Sequence, residues 1–271
     1  MCLYTECSGY PLNSTDFLNY KQYMKLYREL AEYYYEIEKV GRKFDEEIDF
    51  LGKLFLKYNI KTALDLGCGS GEHVFALNQN GFNVRGIDIS EEMVGIAKKR
   101  YPKCDFEIAD LQTYKKDDLV DAIICMFGTF NYIIKDQEIS DTLVNIRESL
   151  RPKGLFILEI WNSSPVRKIK RKPIAPVSLS KVGSVMIKRN RGFRVASSPE
   201  GNENLVEVNF IYNLNQETVK DRHVMRVFSY SEIQTILMSI GFDILNNYSN
   251  FRMDKFQESA GRMLLICKRR P

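Results

Sequence analysis

The sequence is poor in the residues that build metal sites and disulfide scaffolds. It has only two histidines, His73 and His223, in 271 residues, and its six cysteines form no C-x-x-C pair. The shortage of histidine argues against a histidine-rich metal site, and we expect no metal. Scattered cysteines are typical of a reduced protein, so we expect a cytoplasmic location.

Long hydrophobic runs and a strong charge of one sign are also absent. The longest strongly apolar run, Leu155 to Trp161, has seven residues and includes Glu159, whereas a membrane-spanning helix needs about 20. The first residues have neither a basic start nor an apolar stretch, so we expect no signal peptide. Thirty-nine basic against thirty-five acidic residues give a net charge of +4. That charge is too weak to indicate a dedicated nucleic-acid or membrane surface.

What the sequence does contain is the pattern of an α/β domain. From Lys61 onward, short apolar runs alternate with helical segments, which is typical of a parallel sheet covered by helices. The predicted helices of this part are Glu72–Gln79, Glu91–Arg100 and Asp136–Leu150. The predicted strands are Thr62–Leu66, Asn83–Ile87, Cys104–Ile108, Asp121–Met126, Leu155–Ile160, Phe242–Tyr248 and Met263–Lys268.

Two further regions flank or interrupt this domain. Residues 16–58 are helical and rich in tyrosine, and the tyrosines either pack on the main domain or cover a ligand. Alternating segments at Ser184–Arg189, Asn204–Tyr212 and Thr218–Phe228 predict an inserted antiparallel sheet. A helix then begins at a Ser229/Glu232 capping box. We therefore predict a helical lid at 1–58, a core at 59–161 and 229–271, and an acceptor-binding insertion at 162–228.

The most informative motif is the loop Gly67-Cys68-Gly69-Ser70-Gly71, which follows the first predicted strand and precedes a helix. Glycines allow a sharp turn there and a close approach of a ligand to the backbone. In open α/β sheets, ligands bind beyond the carboxyl ends of the strands. A dinucleotide fingerprint would need glycine where Glu72 stands, and this carboxylate would repel a pyrophosphate. The motif therefore favours a nucleoside without phosphates over NAD or FAD.

Acidic residues close the first three predicted strands. Asp88 ends the second strand, where a carboxylate can accept both hydroxyls of a ribose. Asp110 ends the third strand, where an adenine amino group can donate to it, and Asp65 lies in the first. Any one of them can be an ordinary turn residue or cap. Together they indicate a nucleoside site.

Four motifs, at 64–71, 86–90, 109–111 and 150–154, resemble those of class I S-adenosylmethionine-dependent methyltransferases. The resemblance implies a Rossmann-like seven-stranded α/β sheet, with the N-terminal helical lid and the inserted antiparallel β-sheet as additions. It also implies S-adenosyl-L-methionine as the cofactor. The cofactor contacts that we assign on this basis are Tyr35, Asp65, Gly67, Cys68, Gly69, Gly71, Asp88, Ile89, Met93, Asp110, Leu111 and Met126.

A narrower resemblance extends over most of the chain. The segments 35–36, 41–44, 125–132, 158–161 and 223–228 are similar to those of nucleotide-linked amino-sugar N,N-dimethyltransferases. These enzymes methylate the amine of a sugar carried on a nucleoside diphosphate. Two residues depart from the pattern, because Phe44 stands where the family usually has tyrosine and Tyr132 where it often has histidine.

Methyl transfer from a sulfonium is an in-line displacement, and orientation alone can supply about 7–11 kcal/mol of the barrier. An amine needs only a free lone pair, whereas a sugar hydroxyl generally needs a base. The segment Phe127 to Tyr132 holds no His, Asp, Glu or Lys, which favours nitrogen as the methylated atom, although His223 or Glu159 can reach in from elsewhere. Tyr132 and His223 are the catalytic candidates. Trp161 and Asn162, past the fifth strand, are the candidates for acceptor binding.

Three alternatives stay open. The first is an O-methyltransferase of a sugar or other small metabolite, and the second is an RNA methyltransferase that would use the basic run Arg167–Lys172. The third is a non-catalytic, cofactor-binding partner subunit. The basic run most simply forms a solvated loop, or contacts the pyrophosphate of a nucleotide sugar. The partner we expect is a small-molecule acceptor, with a nucleotide-linked sugar as the candidate, rather than nucleic acid or a membrane. A homodimer is left open.

Overall fold

Eleven strands form two sheets in the computed structural model, which describes residues 24–115, 118–196 and 204–271. In chain order the strands are β1 (Thr62–Leu66), β2 (Asn83–Asp88), β3 (Asp105–Ile108), β4 (Val120–Cys125), β5 (Leu150–Trp161), β6 (Arg171–Val182), β7 (Val185–Ala196), β8 (Leu205–Leu214), β9 (Glu217–Arg226), β10 (Phe242–Tyr248) and β11 (Arg262–Arg269). The helices are α1 (Tyr34–Glu38), α2 (Phe44–Lys57), α3 (Glu72–Gln79), α4 (Glu91–Arg100), α5 (Asp136–Ser149), α6 (Ser163–Ile169) and α7 (Tyr230–Ile240).

The larger sheet has seven strands in the order β10-β11-β5-β4-β1-β2-β3. β1 pairs in parallel with both β2 and β4, whereas β11 runs antiparallel to β5 and β10. The strand order reverses at β1, because the chain moves outward to β3 on one side and then returns to β4 on the other. A crevice at such a reversal is where open α/β sheets bind ligands. The predicted seven-stranded α/β fold is confirmed.

Helices cover both faces of this sheet because its central strands are apolar on both sides. Ile123 packs with residues of α5 and α7, and the next residue, Ile124, packs on the opposite face with residues of α2, α3 and α4. This alternation follows from the two-residue period of a strand. None of the helices in the part of the chain that the structure describes has the length and apolar character that crossing a bilayer requires.

Local signals fix several helix ends. Ser90 accepts a hydrogen bond from the backbone N–H of Met93 at the start of α4. Ser229 and Glu232 form the predicted capping box of α7, and Gly241 ends that helix in a left-handed conformation. Each of these bonds satisfies a backbone group that the helix itself leaves unpaired.

The inserted sheet has four antiparallel strands in the order β6-β7-β8-β9, rather than the three predicted. The missing strand is β6, which contains Pro173 and Pro176 and lies at the edge of the sheet. Proline cannot donate to a neighbouring strand and is tolerated mainly at such edges. The basic run Arg167–Lys172 is therefore not a loop, since it spans the end of α6 and the start of β6.

The segment before β1 is helical, as predicted, but it is built of short turns. Three-residue 3₁₀ helices precede and follow α1, and the last of them ends at Gly41 before α2 begins. Leu26, Leu30 and Ile37 of this segment pack against Ile187 and Tyr212 of the inserted sheet. Tyr20, Tyr23, Cys2 and Cys7 lie outside the described residues, and the assignment of 1–58 as a lid stays a prediction.

Candidate active site

The glycine loop turns the chain sharply between β1 and α3. The backbone N–H groups of Gly67 and Cys68 both donate to the carbonyl of Ile87, at 2.8 and 2.9 Å, which ties the loop to β2. Gly69 has φ +56°, and a Cβ added to it would lie 3.3 Å from Cε of Met93. The left-handed backbone and the close neighbour together explain why glycine is needed there.

Asp88 holds this loop in place and also faces the cavity beside it. Its Oδ2 accepts a hydrogen bond from the backbone N–H of Gly69 at 2.9 Å, and its Oδ1 accepts one from Ser90 at 2.9 Å. Burial raises the pKa of this carboxyl, although the backbone hydrogen bonds oppose the shift. Two oxygens with remaining lone pairs are thus presented at the end of β2.

Asp110 presents a second carboxylate two residues after β3. Its Oδ1 accepts from the backbone N–H of Gln112 at 2.9 Å, and its carbonyl accepts from Thr113 and Tyr114. The side chain is partly exposed and lines the same cavity as Asp88. The structure therefore brings the acids that end β2 and β3 to one site.

Asp65, inside β1, is only 1% exposed, and its Oδ2 has no hydrogen-bond partner. Its pKa is raised to about 6, mainly by burial, while His73 opposes the shift and the nearby Asp88 carboxylate adds to it. An unpartnered buried carboxylate oxygen is costly, and a cationic ligand group would relieve the cost. Asp65 is therefore suited to accept a hydrogen bond from an ammonium.

Next to Asp65 lies a buried ion-pair cluster of Arg42, Glu47 and His73. Arg42 forms an ion pair with Glu47, and Nε2 of His73 lies 3.0 Å from the Glu47 carboxylate. Nδ1 of the same ring lies 3.9 Å from Oδ2 of Asp65. Burial alone would raise the pKa of Glu47, but the hydrogen bonds to His73 and Arg42 outweigh it and lower the pKa to about 2.

A cavity of about 410 Å³ lies beyond the carboxyl ends of β1, β2, β3 and β4. Seven of the predicted site residues line it, namely Gly67, Gly69, Asp88, Ile89, Asp110, Leu111 and Tyr132. Its size is typical of small-molecule sites. The residues predicted from three separate strand ends therefore converge on one space.

Six of the predicted cofactor contacts lie outside the cavity lining. Asp65, Cys68, Met93 and Met126 are buried behind it. Gly71 has φ +88° and is the N-cap residue that precedes α3. The ring of Tyr35 lies under the guanidinium of Arg100, 4.6 Å from its centre, and it is the preceding residue, Tyr34, that lines the cavity.

The two catalytic candidates contact each other. Nδ1 of His223, on β9, lies 2.6 Å from the hydroxyl of Tyr132, and Nε2 of His223 lies 3.0 Å from Oδ2 of Asp221. The Tyr132 hydroxyl also lies 3.0 Å from that of Tyr27, and both tyrosines line the cavity. His223 itself is 1% exposed. The inserted sheet thus reaches the cavity through Tyr132.

The candidates for acceptor binding lie away from the cavity lining. Asn162 is fully buried, its amide donates to the carbonyls of Glu258 and Ala260, and its oxygen caps α6. These bonds occupy the polar side-chain atoms of Asn162, which therefore has a structural role. Trp161 packs beside Gly128, whose added Cβ would lie 3.1 Å from the indole nitrogen. The basic run Arg167–Lys172 is also outside the lining.

Several cavity and site residues were not predicted. Tyr27 and Tyr34 belong to the tyrosine-rich segment, which the sequence left between a packing face and a lid. Asp221 lies two residues before His223, a spacing that places both side chains on one face of a strand. That Asp-x-His spacing is the signal that could have identified Asp221.

Residues 63–154 match the family model of a methyltransferase domain. These residues therefore form a methyltransferase domain. The match confirms the predicted methyltransferase for this part of the chain. Among solved structures, an S-adenosylmethionine-dependent methyltransferase from Clostridium acetobutylicum has a TM-score of 0.77 at 17% identity, covering 90% of this chain and 99% of its own.

Two further relatives are methyltransferases of amino sugars by name. The dTDP-3-amino-3,6-dideoxy-alpha-D-glucopyranose N,N-dimethyltransferase of Streptomyces fradiae is 26% identical over 136 residues, or 49% of this chain. The chain spans about half of that relative's length, 53%. An amino pentose methyltransferase from Micromonospora echinaspora has a TM-score of 0.72 at 16% identity and covers 88% of this chain and 96% of its own.

The side chains of the methyltransferase domain fit S-adenosylmethionine. The unpartnered Oδ2 of Asp65 suits the cofactor's ammonium group, and the Asp88 and Asp110 carboxylates suit ribose hydroxyls and an adenine amino group. The absence of a side chain at Gly69 leaves the backbone open to close approach. When bound, the cofactor supplies a methyl group on a positively charged sulfur.

Proposed function

We propose that this protein N-methylates the amine of a nucleotide-linked amino sugar. The observation that carries the proposal is a single cavity whose lining combines two kinds of side chain. It includes the carboxylates of Asp88 and Asp110 and the aromatic rings of Tyr27, Phe127 and Tyr132. A cavity of this size suits a small molecule, and we expect the acceptor to contact the aromatic rings.

The aromatic rings in the lining favour an amine over a negatively charged acceptor. Tyrosine faces and hydroxyl oxygens attract an ammonium group, and the hydroxyls can orient the lone pair once the proton has left. Correct orientation supplies much of the rate, so once the ammonium form has lost its proton the amine needs no further base at the point of attack. The names of the amino-sugar dimethyltransferase relatives support the same acceptor class.

One observation favours O-methylation as the second candidate. A sugar hydroxyl needs a base, and the His223–Asp221 pair is joined to the cavity through the hydroxyl of Tyr132. An imidazole oriented by a carboxylate is a common general base. The runner-up is therefore an O-methyltransferase of a sugar or other small metabolite.

The test offers the purified protein matched nucleotide-linked sugars that differ only in an amino or a hydroxyl group at one carbon. We expect methyl transfer to the amino sugar and none to the hydroxyl sugar. Asp88→Ala is the control, because loss of its bonds to the glycine loop should prevent cofactor binding and abolish the signal. Turnover of the hydroxyl sugar alone would overturn the proposal and support the second candidate.

A further inference from the structure

Four side chains from three separate parts of the fold form one hydrogen-bonded chain that runs from the cavity into the protein. Tyr27, in the segment before α1, contacts Tyr132 after β4, and Tyr132 contacts His223 on β9. His223 then contacts Asp221 on the same strand. The hydroxyl-to-hydroxyl, hydroxyl-to-Nδ1 and Nε2-to-carboxylate distances are 3.0, 2.6 and 3.0 Å. All three distances allow true hydrogen bonds.

The carboxylate at the inner end determines the direction of these bonds. Burial would raise the pKa of Asp221, but the hydrogen bond from His223 and those from the backbone of Leu26 and Lys25 oppose burial, and the pKa is lowered. The ionised Asp221 can only accept, and its Oδ2 also accepts from the backbone N–H of Leu26 at 2.8 Å. Nε2 of His223 must therefore carry a proton, and in the neutral form of the ring, which is the form that can take up a proton, Nδ1 is then an acceptor.

With Nδ1 as an acceptor, the remaining donors follow in sequence. Tyr132 donates its hydroxyl proton to His223, so the Tyr132 oxygen accepts from the hydroxyl of Tyr27. The Tyr27 oxygen then keeps its own lone pairs for a group in the cavity. Every proton in the chain is directed inward, and the outer end is a hydrogen-bond acceptor.

We propose that Tyr27, Tyr132, His223 and Asp221 form a proton relay that removes a proton from the ammonium form of the acceptor amine and delivers it to the imidazole of His223. This inference rests on the proposed N-methylation. In it Asp221 is a positioning residue, which acts through His223 by fixing the tautomer and by balancing the charge that the ring gains. The relay explains why a buried histidine is joined to a cavity that it does not line.

The step conserves protons and electrons. One N–H bond of the ammonium group breaks, its electron pair stays on nitrogen as the lone pair of the neutral amine, and the proton passes to the oxygen of Tyr27. The Tyr27 proton moves to Tyr132, and the Tyr132 proton moves to Nδ1 of His223, where an imidazolium forms beside the Asp221 carboxylate. The proton later leaves by the reverse route after the product departs.

The tyrosines can pass a proton but cannot retain a negative charge. Burial is the main cause that raises the pKa of both Tyr27 and Tyr132 well above the usual tyrosine value. A phenolate at either position is therefore disfavoured, and the proton must end on the ring. The ring centres of Phe210 and His223 lie 5.0 Å apart, and Tyr212 stacks on Phe210. Aromatic rings therefore pack beside His223, at the inner end of the hydrogen-bonded chain.

The first test measures the His223 ring without any substrate. Nitrogen-15 NMR of the imidazoles is tractable, because the sequence has only two histidines. We expect a proton on Nε2 of His223 and a hydrogen-bonded, unprotonated Nδ1. Tyr132→Phe should shift the Nδ1 signal of His223 alone. In Asp221→Asn, the tautomer of His223 with its proton on Nε2 should no longer be the major one. Wild-type spectra in both variants would overturn the relay.

The second test is kinetic and uses a double-mutant cycle. Asp221→Asn and Tyr132→Phe should each lower kcat roughly 100-fold, at the lower end of losses from removing proton transfer. The double variant should lose no more than the worse single variant, because either change already interrupts the path. Multiplying losses would show two independent roles and overturn the relay. Tyr33→Phe, in the same N-terminal segment but outside the chain of bonds, is the matched control and should keep wild-type kcat.

The two proposals fail differently. If the amino sugar is methylated while the spectra and the cycle show no coupling, the relay is wrong and the N-methyltransferase stands. If no amino sugar is methylated but the spectra show the predicted tautomer and its loss in Asp221→Asn, the hydrogen-bonded chain stands and the acceptor assignment is wrong.

Discussion

Asp110→Asn tests most selectively how the cavity recognises the adenine group of its ligand. In the folded protein Oδ1 of Asp110 accepts from the backbone N–H of Gln112, while the side chain faces the cavity. Asparagine can keep that internal bond through its amide oxygen. Its NH₂ group then replaces the oxygen that we expect to accept from the adenine amino group, so two donors face each other.

The size of the effect follows from one lost hydrogen bond to a charged group, which is worth about 1.5–3 kcal/mol. This corresponds to a dissociation constant weakened roughly 10- to 150-fold. Because the Asp110 side chain is partly exposed, we expect a loss near the lower bound, about tenfold, with the fold unchanged.

The assay is calorimetric titration with S-adenosylhomocysteine and with its inosine analogue, in which a carbonyl replaces the adenine amino group. Asp110→Asn should weaken binding of the first and strengthen binding of the second. Asp105→Asn, at the other end of β3, is the matched control for charge and should change neither. Equal losses for both ligands, or no loss for either, would refute adenine recognition by Asp110.

Three other predictions follow from the same site. Gly69→Val should abolish cofactor binding in a folded protein, because its φ of +56° disfavours valine; calorimetry showing wild-type affinity would refute this. The pKa of Asp65, about 6, predicts that cofactor affinity falls as the pH drops below 6, since a protonated carboxyl cannot pair with an ammonium; Asp65→Asn should remove that pH dependence, and a persisting dependence would contradict it. The pKa of Glu47 is about 2 against an ordinary 4.5, so its stabilising contribution is present above pH 4.5 and lost as the pH falls toward 2. Over that pH range, the free energy of unfolding measured with urea should fall less for Glu47→Gln than for the wild-type protein. An equal fall in both proteins would contradict this prediction.

The main sheet could be predicted because its signals are local. The predicted bounds of β1, β10, α3 and α4 agree with the structure. β6 could not be predicted, because its prolines and basic residues hide the alternation that marks a strand. Register shifts between Lys172 and Ala175 and between Pro176 and Ser178 accommodate this composition, and an edge strand tolerates them.

The site was predictable only where its residues follow a strand end in a motif. Asp88 and Asp110 were identifiable in this way, since each ends a parallel strand and the strand ends meet at one edge. The bonds that join Tyr27, Tyr132 and His223 connect residues 105 and 91 positions apart, so no local pattern predicts them. Tyr34 rather than Tyr35 lines the cavity, and the ring of Tyr35 contacts Arg100 instead.

The most direct test of the account is to follow a carbon-13 methyl group from labelled S-adenosylmethionine into the product of a nucleotide-linked amino sugar. Carbon–nitrogen correlation by NMR then reports the atom to which the methyl is bonded. We predict a methyl carbon bonded to the sugar nitrogen, and no such signal with Asp88→Ala. A methyl carbon bonded only to oxygen, or no transfer by a protein that binds the cofactor, would contradict the account.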